Sequence, residues 1–336
     1  MLALTFLPGC GLHYVTQAAA GQYELVARSE EIEEILEEKR VTPRTQKLLT
    51  AIPSMKRFGE GRGLKATENY TRYVQVDRPY IVWVVTAARP LSLSPRTFNF
   101  PIVGSFNYLG WFREKEARAY AAELEKEGWD VDVRGSQAYS TTGFFRDPVL
   151  STMIPKGRHV LGDLASTILH ESTHATVFVH DQSVLNESIA NFVGDQMALE
   201  YLIETKGKDS DETKSFIEIE DFVRKRGAEL HEAVVYLKAL YASNANAEEK
   251  LRAKAAYLKD LRKRIRYSRP ITNATLVQYR TYHSGQAELA ELFTHCGEKW
   301  TPFLNKLREL EKRDFAERQM KDVGSVIAEL AKEPCD

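Results

Sequence analysis

Apolar residues recur at helical spacing through most of this chain, and they crowd into strand-like runs in only one region. In residues 22–39, Ile32, Ile35 and Leu36 share one face of an acid-rich segment, which predicts a helix with its Glu residues in solvent. Pro43 stands at a favoured first-turn position of a second helix carrying Leu48, Leu49 and Ile52, and the run Gly59-Glu60-Gly61-Arg62-Gly63 stops it. Residues 70–112 turn β-rich: strands are expected at 73–76, 80–86 and 98–111, separated by Asp-Arg-Pro and Ser-Pro signals, in an antiparallel sheet of three or four strands. A helix over 114–128 and one more strand over 131–140 follow.

Leu161, Leu164, Ala165, Ile168, Ala175 and Val179 then form a helical stripe reaching to about Val179. His180-Asp181-Gln182-Ser183 interrupts it, and Leu185, Ile189, Phe192, Val193 and Met197 resume it, so two antiparallel helices joined by a short turn are expected. Beyond Tyr201 long charged amphipathic helices are predicted at 216–242, 245–267, 285–296 and 301–330, interrupted at Ser268-Arg269-Pro270 and over 273–283. The fold class that results is α+β and predominantly helical: a small antiparallel or mixed sheet, a helix hairpin and a helical C-terminal lobe. The expected division is a tether at 1–20, a catalytic lobe at 21–205 and a helical lobe at 206–336.

Composition narrows the function. With 336 residues and 43% hydrophobic content the chain can bury a substantial core, and 46 basic against 47 acidic residues create no field for polyanions. Nucleic acid is not an expected partner. The longest apolar run, residues 80–88, is too short to cross a bilayer. At the N-terminus an apolar stub precedes Leu7-Pro8-Gly9-Cys10, which resembles a bacterial lipobox with Cys10 as the lipidated residue. No basic segment precedes it, and an ordinary frayed end is the alternative. Cys296 and Cys335 are expected to be free thiols, although an oxidising compartment would allow them to pair.

The candidate chemistry sits on the hairpin, in His170-Glu171-Ser172-Thr173-His174 and Asn186-Glu187-Ser188-Ile189-Ala190. Residues four apart on a helix share a face, so His170 and His174 can address one metal ion while Glu171 lies about 100° around, facing a water. With 8 His and 47 acidic residues, such a window arises by chance roughly 0.03 times per chain of this length. Glu187, just inside the second helix, can reach the same ion. Two imidazoles and a carboxylate suit Zn2+, with Glu171 as general base for hydrolysis.

His-Glu-x-x-His followed by Asn-Glu-x-x-Ala resembles the glutamate-zincin metallopeptidases, although the hairpin here is tighter than theirs. A closer resemblance is to a bacterial lipoprotein-type aminopeptidase family. The segments that carry it are an early Cys, Arg78-Pro79-Tyr80-Ile81-Val82-Trp83, Ala138-Tyr139-Ser140-Thr141-Thr142-Gly143-Phe144-Phe145, Asp147-Pro148-Val149-Leu150-Ser151-Thr152-Met153, and the zinc motif with Leu185-Asn186-Glu187-Ser188. The resemblance implies a zincin-like fold, a peptide substrate, anchoring of the chain to the cell envelope through Cys10, and an edge strand at 136–143 that holds the substrate by backbone pairing. It also implies a Tyr or His oxyanion donor after the zinc ligands, for which Tyr282 and His283 are the candidates. No acidic motif for a free α-amine is visible. The alternatives are a membrane-anchored binding or scaffold protein whose zinc site is closed by His180 or Asp181, and zinc hydrolysis of a non-peptide amide in the cell wall.

Overall fold

The computed structural model describes residues 9–100, 104–139, 141, 146–320 and 322–335. The chain is α+β and mostly helical. It begins with α1 (Gly9–Arg28), then a two-residue strand β1 (Glu30–Glu31) and a short α2 (Ile32–Glu37). The single helix expected over 22–39 is therefore broken: Glu30 and Glu31 pair antiparallel with Tyr73 and Arg72, and that ladder removes them from the helix. In place of a tether, α1 is bonded to the sheet, with the Gln17 side chain donating to the Gly110 carbonyl and accepting from the Phe112 amide. Cys10 falls in the first turn of α1; Leu7 and Pro8 lie outside the described residues.

Helix α3 (Pro43–Glu60) starts as expected, capped by the Thr42 hydroxyl on the Thr45 amide. The β-rich region forms β2 (Arg72–Val74), β3 (Val82–Ala88), β4 (Phe98–Phe100), β5 (Gly104–Phe106) and β6 (Leu109–Trp111), followed by α4 (Glu114–Lys126), β7 (Asp130–Ser136) and β8 (Val149–Leu150). These strands build three small sheets among the described residues, where one antiparallel sheet was expected: β6-β3-β7, all antiparallel; β1-β2-β8, in which β2 and β8 are parallel; and the β4-β5 hairpin. Every residue of β3 is buried, as a central strand covered on both faces requires. One face, with Trp83, Val85 and Ala87, packs on α4; the other meets the helices that follow.

The hairpin consists of α5 (Leu161–His174) and α6 (Ser183–Lys206). Helix α5 ends at His174, five residues before the expected Val179. The chain then turns and leaves the helix with Val177 and Val179 buried, and the Asn186 side chain clamps Val179 by bonds of 2.8 Å to both its amide and its carbonyl. Next come α7 (Asp211–Ala242), α8 (Ala247–Arg264), α9 (Asn273–His283), α10 (Gln286–His295), α11 (Trp300–Arg308) and α12 (Val323–Leu330). Residues 273–283, expected to interrupt the helices, are themselves helical and capped by Thr272. Conversely, the long helix expected over 301–330 is split. Gln319, at φ 63°, is drawn under the α5–α6 turn, where it bonds Ser105, Asn107 and Ser183. One buried cluster joins α3, α5 and α6 to α10, α11 and α12, so the two expected lobes share a core. Cys296 and Cys335 are joined in a disulfide, not free: α10 and the C-terminal end bring their Cα atoms to 5.1 Å. No helix among the described residues is long and apolar enough to cross a membrane.

Candidate metal centre

Helices α5 and α6 lie in close contact, and Gly194 permits it: a Cβ there would come within 3.0 Å of His170 Cβ and 2.9 Å of the Ser166 carbonyl. With the axes this near, the three sequence-derived ligand candidates converge. The Nε2 atoms of His170 and His174 are 3.2 Å apart, and Glu187 Oε2 lies 3.5 Å from the first and 3.9 Å from the second. Ligand atoms about 2.0–2.1 Å from a tetrahedral ion are about 3.3 Å from one another, so the three atoms outline one face of such a tetrahedron. Among the described residues this is the one His/Cys/Asp/Glu group with atoms so gathered.

The charges of the site favour a bound cation. Burial works against charge on His170, but the Glu187 hydrogen bond and the nearby Glu171 carboxylate outweigh it and raise His170 to about 9. Burial lowers His174 to about 4, aided by the neighbouring His170. Burial alone would raise Glu187, but its contacts with both imidazoles and the charge of Arg134 lower it below the ordinary carboxylate range. A carboxylate held ionised thus stands between two imidazoles, a donor set able to take a cation. The Tyr108 hydroxyl donates to the other Glu187 oxygen at 3.3 Å, and Asp195, held by the Ser166 hydroxyl at 2.6 Å, adds its field at His170.

His170, His174, Glu187 and Tyr108 line a cleft of about 1180 Å³, together with Glu171, which is 9% exposed. Its walls are largely apolar and aromatic, from Tyr14 and Ala18 of α1, Val82 and Val84 of β3, and Phe106 and Tyr139. The proposed closing ligands of a structural site are otherwise engaged or turned outward. The Asp181 carboxylate accepts the Ser105 amide at 2.7 Å, and His180 is 67% exposed and pairs with Asp181.

Of the edge strand expected over 136–143, only Ser136 is in a strand, as the last residue of the edge strand β7; residues 137–139 leave the ladder. The carbonyls of Val131 and Val133 are already taken by Thr272 and Arg269, so an added strand would pair from Gly135 onward. Ser136, Ala138, Tyr139 and Thr141 line the cleft; Ser140, Thr142 and Gly143 lie outside the described residues. Tyr282 and His283 occupy the last turn of α9, and their side chains are also outside the described residues. The next helix is tied to the hairpin, where Gln286 donates to the carbonyl of Ser188, one residue after Glu187.

Sequence reasoning missed Tyr108, Arg134 and one face of α1 as cleft elements, and it missed Asp195, whose field reaches His170. For Arg134 a signal existed, because Asp132, Arg134 and Ser136 alternate with Val131 and Val133 and mark one strand face as polar. Nothing in the sequence marks Tyr108.

A family model described as "Putative aminopeptidase" matches residues 13–321. No curated protein and no solved structure matches the chain.

Proposed function

The chain belongs to the putative aminopeptidase family, and from that premise we propose that it is a zinc-dependent, zincin-like metallopeptidase. The observation that carries this reading is the convergence of His170, His174 and Glu187 in one cleft with Glu171 on its wall. His170, His174 and Glu187 would hold Zn2+, which when bound acts as a Lewis acid on the scissile carbonyl and on the attacking water. Glu171 is the general base. It sits next to His170 in sequence but about 100° around the helix, so it stands beside the ligand set and not within it. Its carboxylate takes a proton from the attacking water and returns it to the leaving amine, which requires the carboxylate to be ionised in the resting enzyme.

The remaining residues position these groups. Tyr108 orients Glu187, Asp195 supports His170, and Asn186 fixes the turn that holds α5 and α6 together. The apolar walls limit water around the reacting bond. Tyr282 and His283 remain the proposed oxyanion donors, and the bond from Gln286 to Ser188 supports their segment facing the site. Substrate would be a peptide laid along the end of β7. The disulfide supports an oxidising compartment, in keeping with attachment to the cell envelope through Cys10. The scaffold reading needs a fourth protein ligand, and Asp181 is committed to Ser105.

The test is metal analysis of protein never exposed to chelator, followed by digestion of a peptide library. About one zinc per chain and cleavage abolished by chelation are expected; protein without metal, or cleavage that survives chelation, would refute the proposal.

A further inference from the structure

Charge is distributed unevenly on the cleft wall. Among the described lining residues the acids are Glu171 and Glu187, which belong to the metal-and-base group, and Asp181, which receives the Ser105 amide and faces His180 and Arg318. A free α-amine meets no carboxylate there without another role. An anion meets Arg134, the one Arg or Lys among those residues.

Arg134 is fixed in place. It lies on β7 opposite Val84, on the strand face turned away from α4, and Val82, Val84 and Ser136 of that face line the cleft with it. The buried Gln278 amide on α9 satisfies both its neighbours only with its nitrogen toward the Thr86 hydroxyl and its oxygen toward Arg134. In that orientation the guanidinium donates to it from Nη2 at 2.9 Å and from Nε at 3.2 Å. A guanidinium gripped along one edge presents a planar fork with a set orientation, the geometry that recognises carboxylates by paired hydrogen bonds. The same cleft is lined by Arg134, Glu171 and the three candidate ligands His170, His174 and Glu187, so the fork and the candidate site share one cavity.

We propose that Arg134 determines specificity by binding the C-terminal carboxylate of a short peptide, placing a bond close to that end beside Glu171. This rests on the peptidase reading and narrows it to di- and tripeptides with a free carboxyl end. Such substrates still lose their N-terminal residue, but they are recognised through the opposite terminus.

The test compares matched di- and tripeptides bearing a C-terminal carboxylate, a C-terminal amide, or an amide with a Glu side chain, using the metal-loaded full chain and measuring kcat and KM separately. The carboxylate form should be preferred over the amide by about 10-fold or more in kcat/KM, the size expected of a charged hydrogen-bonded pair, and mainly through KM. Arg134→Gln should bring that ratio close to one, and Arg134→Lys should retain part of it. The comparison in the unmutated protein stands even if a variant misfolds. Equal turnover of acid and amide, a preference that follows the Glu side chain, or an Arg134→Gln loss equal for both forms would overturn the proposal while leaving the peptidase reading intact. Failure to cleave any of the peptides would overturn both.

Discussion

Gly194 on α6 packs directly against His170 on α5, with room for a hydrogen but not for a methyl group. At an ordinary helical site Gly→Ala stabilises by about 1 kcal/mol. Here the added carbon would meet helix backbone at 2.9 Å, and overpacking of that kind costs typically 1–3 kcal/mol. Gly194→Ala should therefore lower stability, and by prising α6 from α5 it should weaken zinc binding about 10-fold or more. Competition titration with a chromophoric chelator reads the second effect. Unchanged affinity would mean that the close approach does not position Glu187.

Asn186 should be nearly as sensitive, because its side chain holds the turn between α5 and α6. Its amide satisfies both backbone groups of buried Val179, and Asn186→Ala would leave two buried polar groups unpaired at about 1–3 kcal/mol each. A fall of several degrees in Tm is expected, whereas Asn186→Asp should restore only the bond from the Val179 amide.

A pH dependence of stability is built in beside Asp195, next to the candidate metal site. Burial, reinforced by Asp195 and Asp163, raises Glu220 from 4.5 to about 7. The fold therefore favours the protonated carboxyl. Above the unfolded value the unfolded chain has released this proton and the folded chain has not, so stability declines as pH rises from about 4.5 to about 7 and then levels off. Glu220 is only partly buried, and after solvent screening the loss is on the order of 1–2 kcal/mol. Urea unfolding of Glu220→Gln should show a gain of that size at pH 8 and little at pH 4; an equal gain at both would refute the assignment.

The disulfide ties α10 to the C-terminal end across 39 residues of sequence. A loop of that length contributes about 4 kcal/mol in the chain-entropy account, an upper figure that strain and residual structure reduce. Reduction, or Cys296→Ser, should lower the urea midpoint, and alkylation of unfolded, unreduced protein should label neither cysteine.

The helix hairpin and the shared face of His170 and His174 were readable because i,i+4 spacing fixes the direction of both imidazoles before any tertiary contact is known. The end of α5 was not readable. The apolar stripe continues through Ala175 and Val179, and only Asn186, bonding across the turn, reveals that Val179 is buried outside the helix. The break between α11 and α12 likewise depends on Gln319 finding Ser105 and Ser183, more than a hundred residues away. The pairing of Cys296 with Cys335 and the packing of α1 onto β6 follow from tertiary placement, which local periodicity does not encode.

The most direct test of the central claim is peptide turnover by Glu171→Gln protein, measured beside its zinc content. Glutamine keeps the shape of the side chain but cannot accept the proton of the attacking water. The account predicts about one zinc per chain, as in the unmutated protein, with hydrolysis lowered by about 10²–10⁴-fold, the range for loss of a general base. Hydrolysis near the unmutated rate would contradict the role of Glu171, and loss of zinc would show Glu171 to be a ligand.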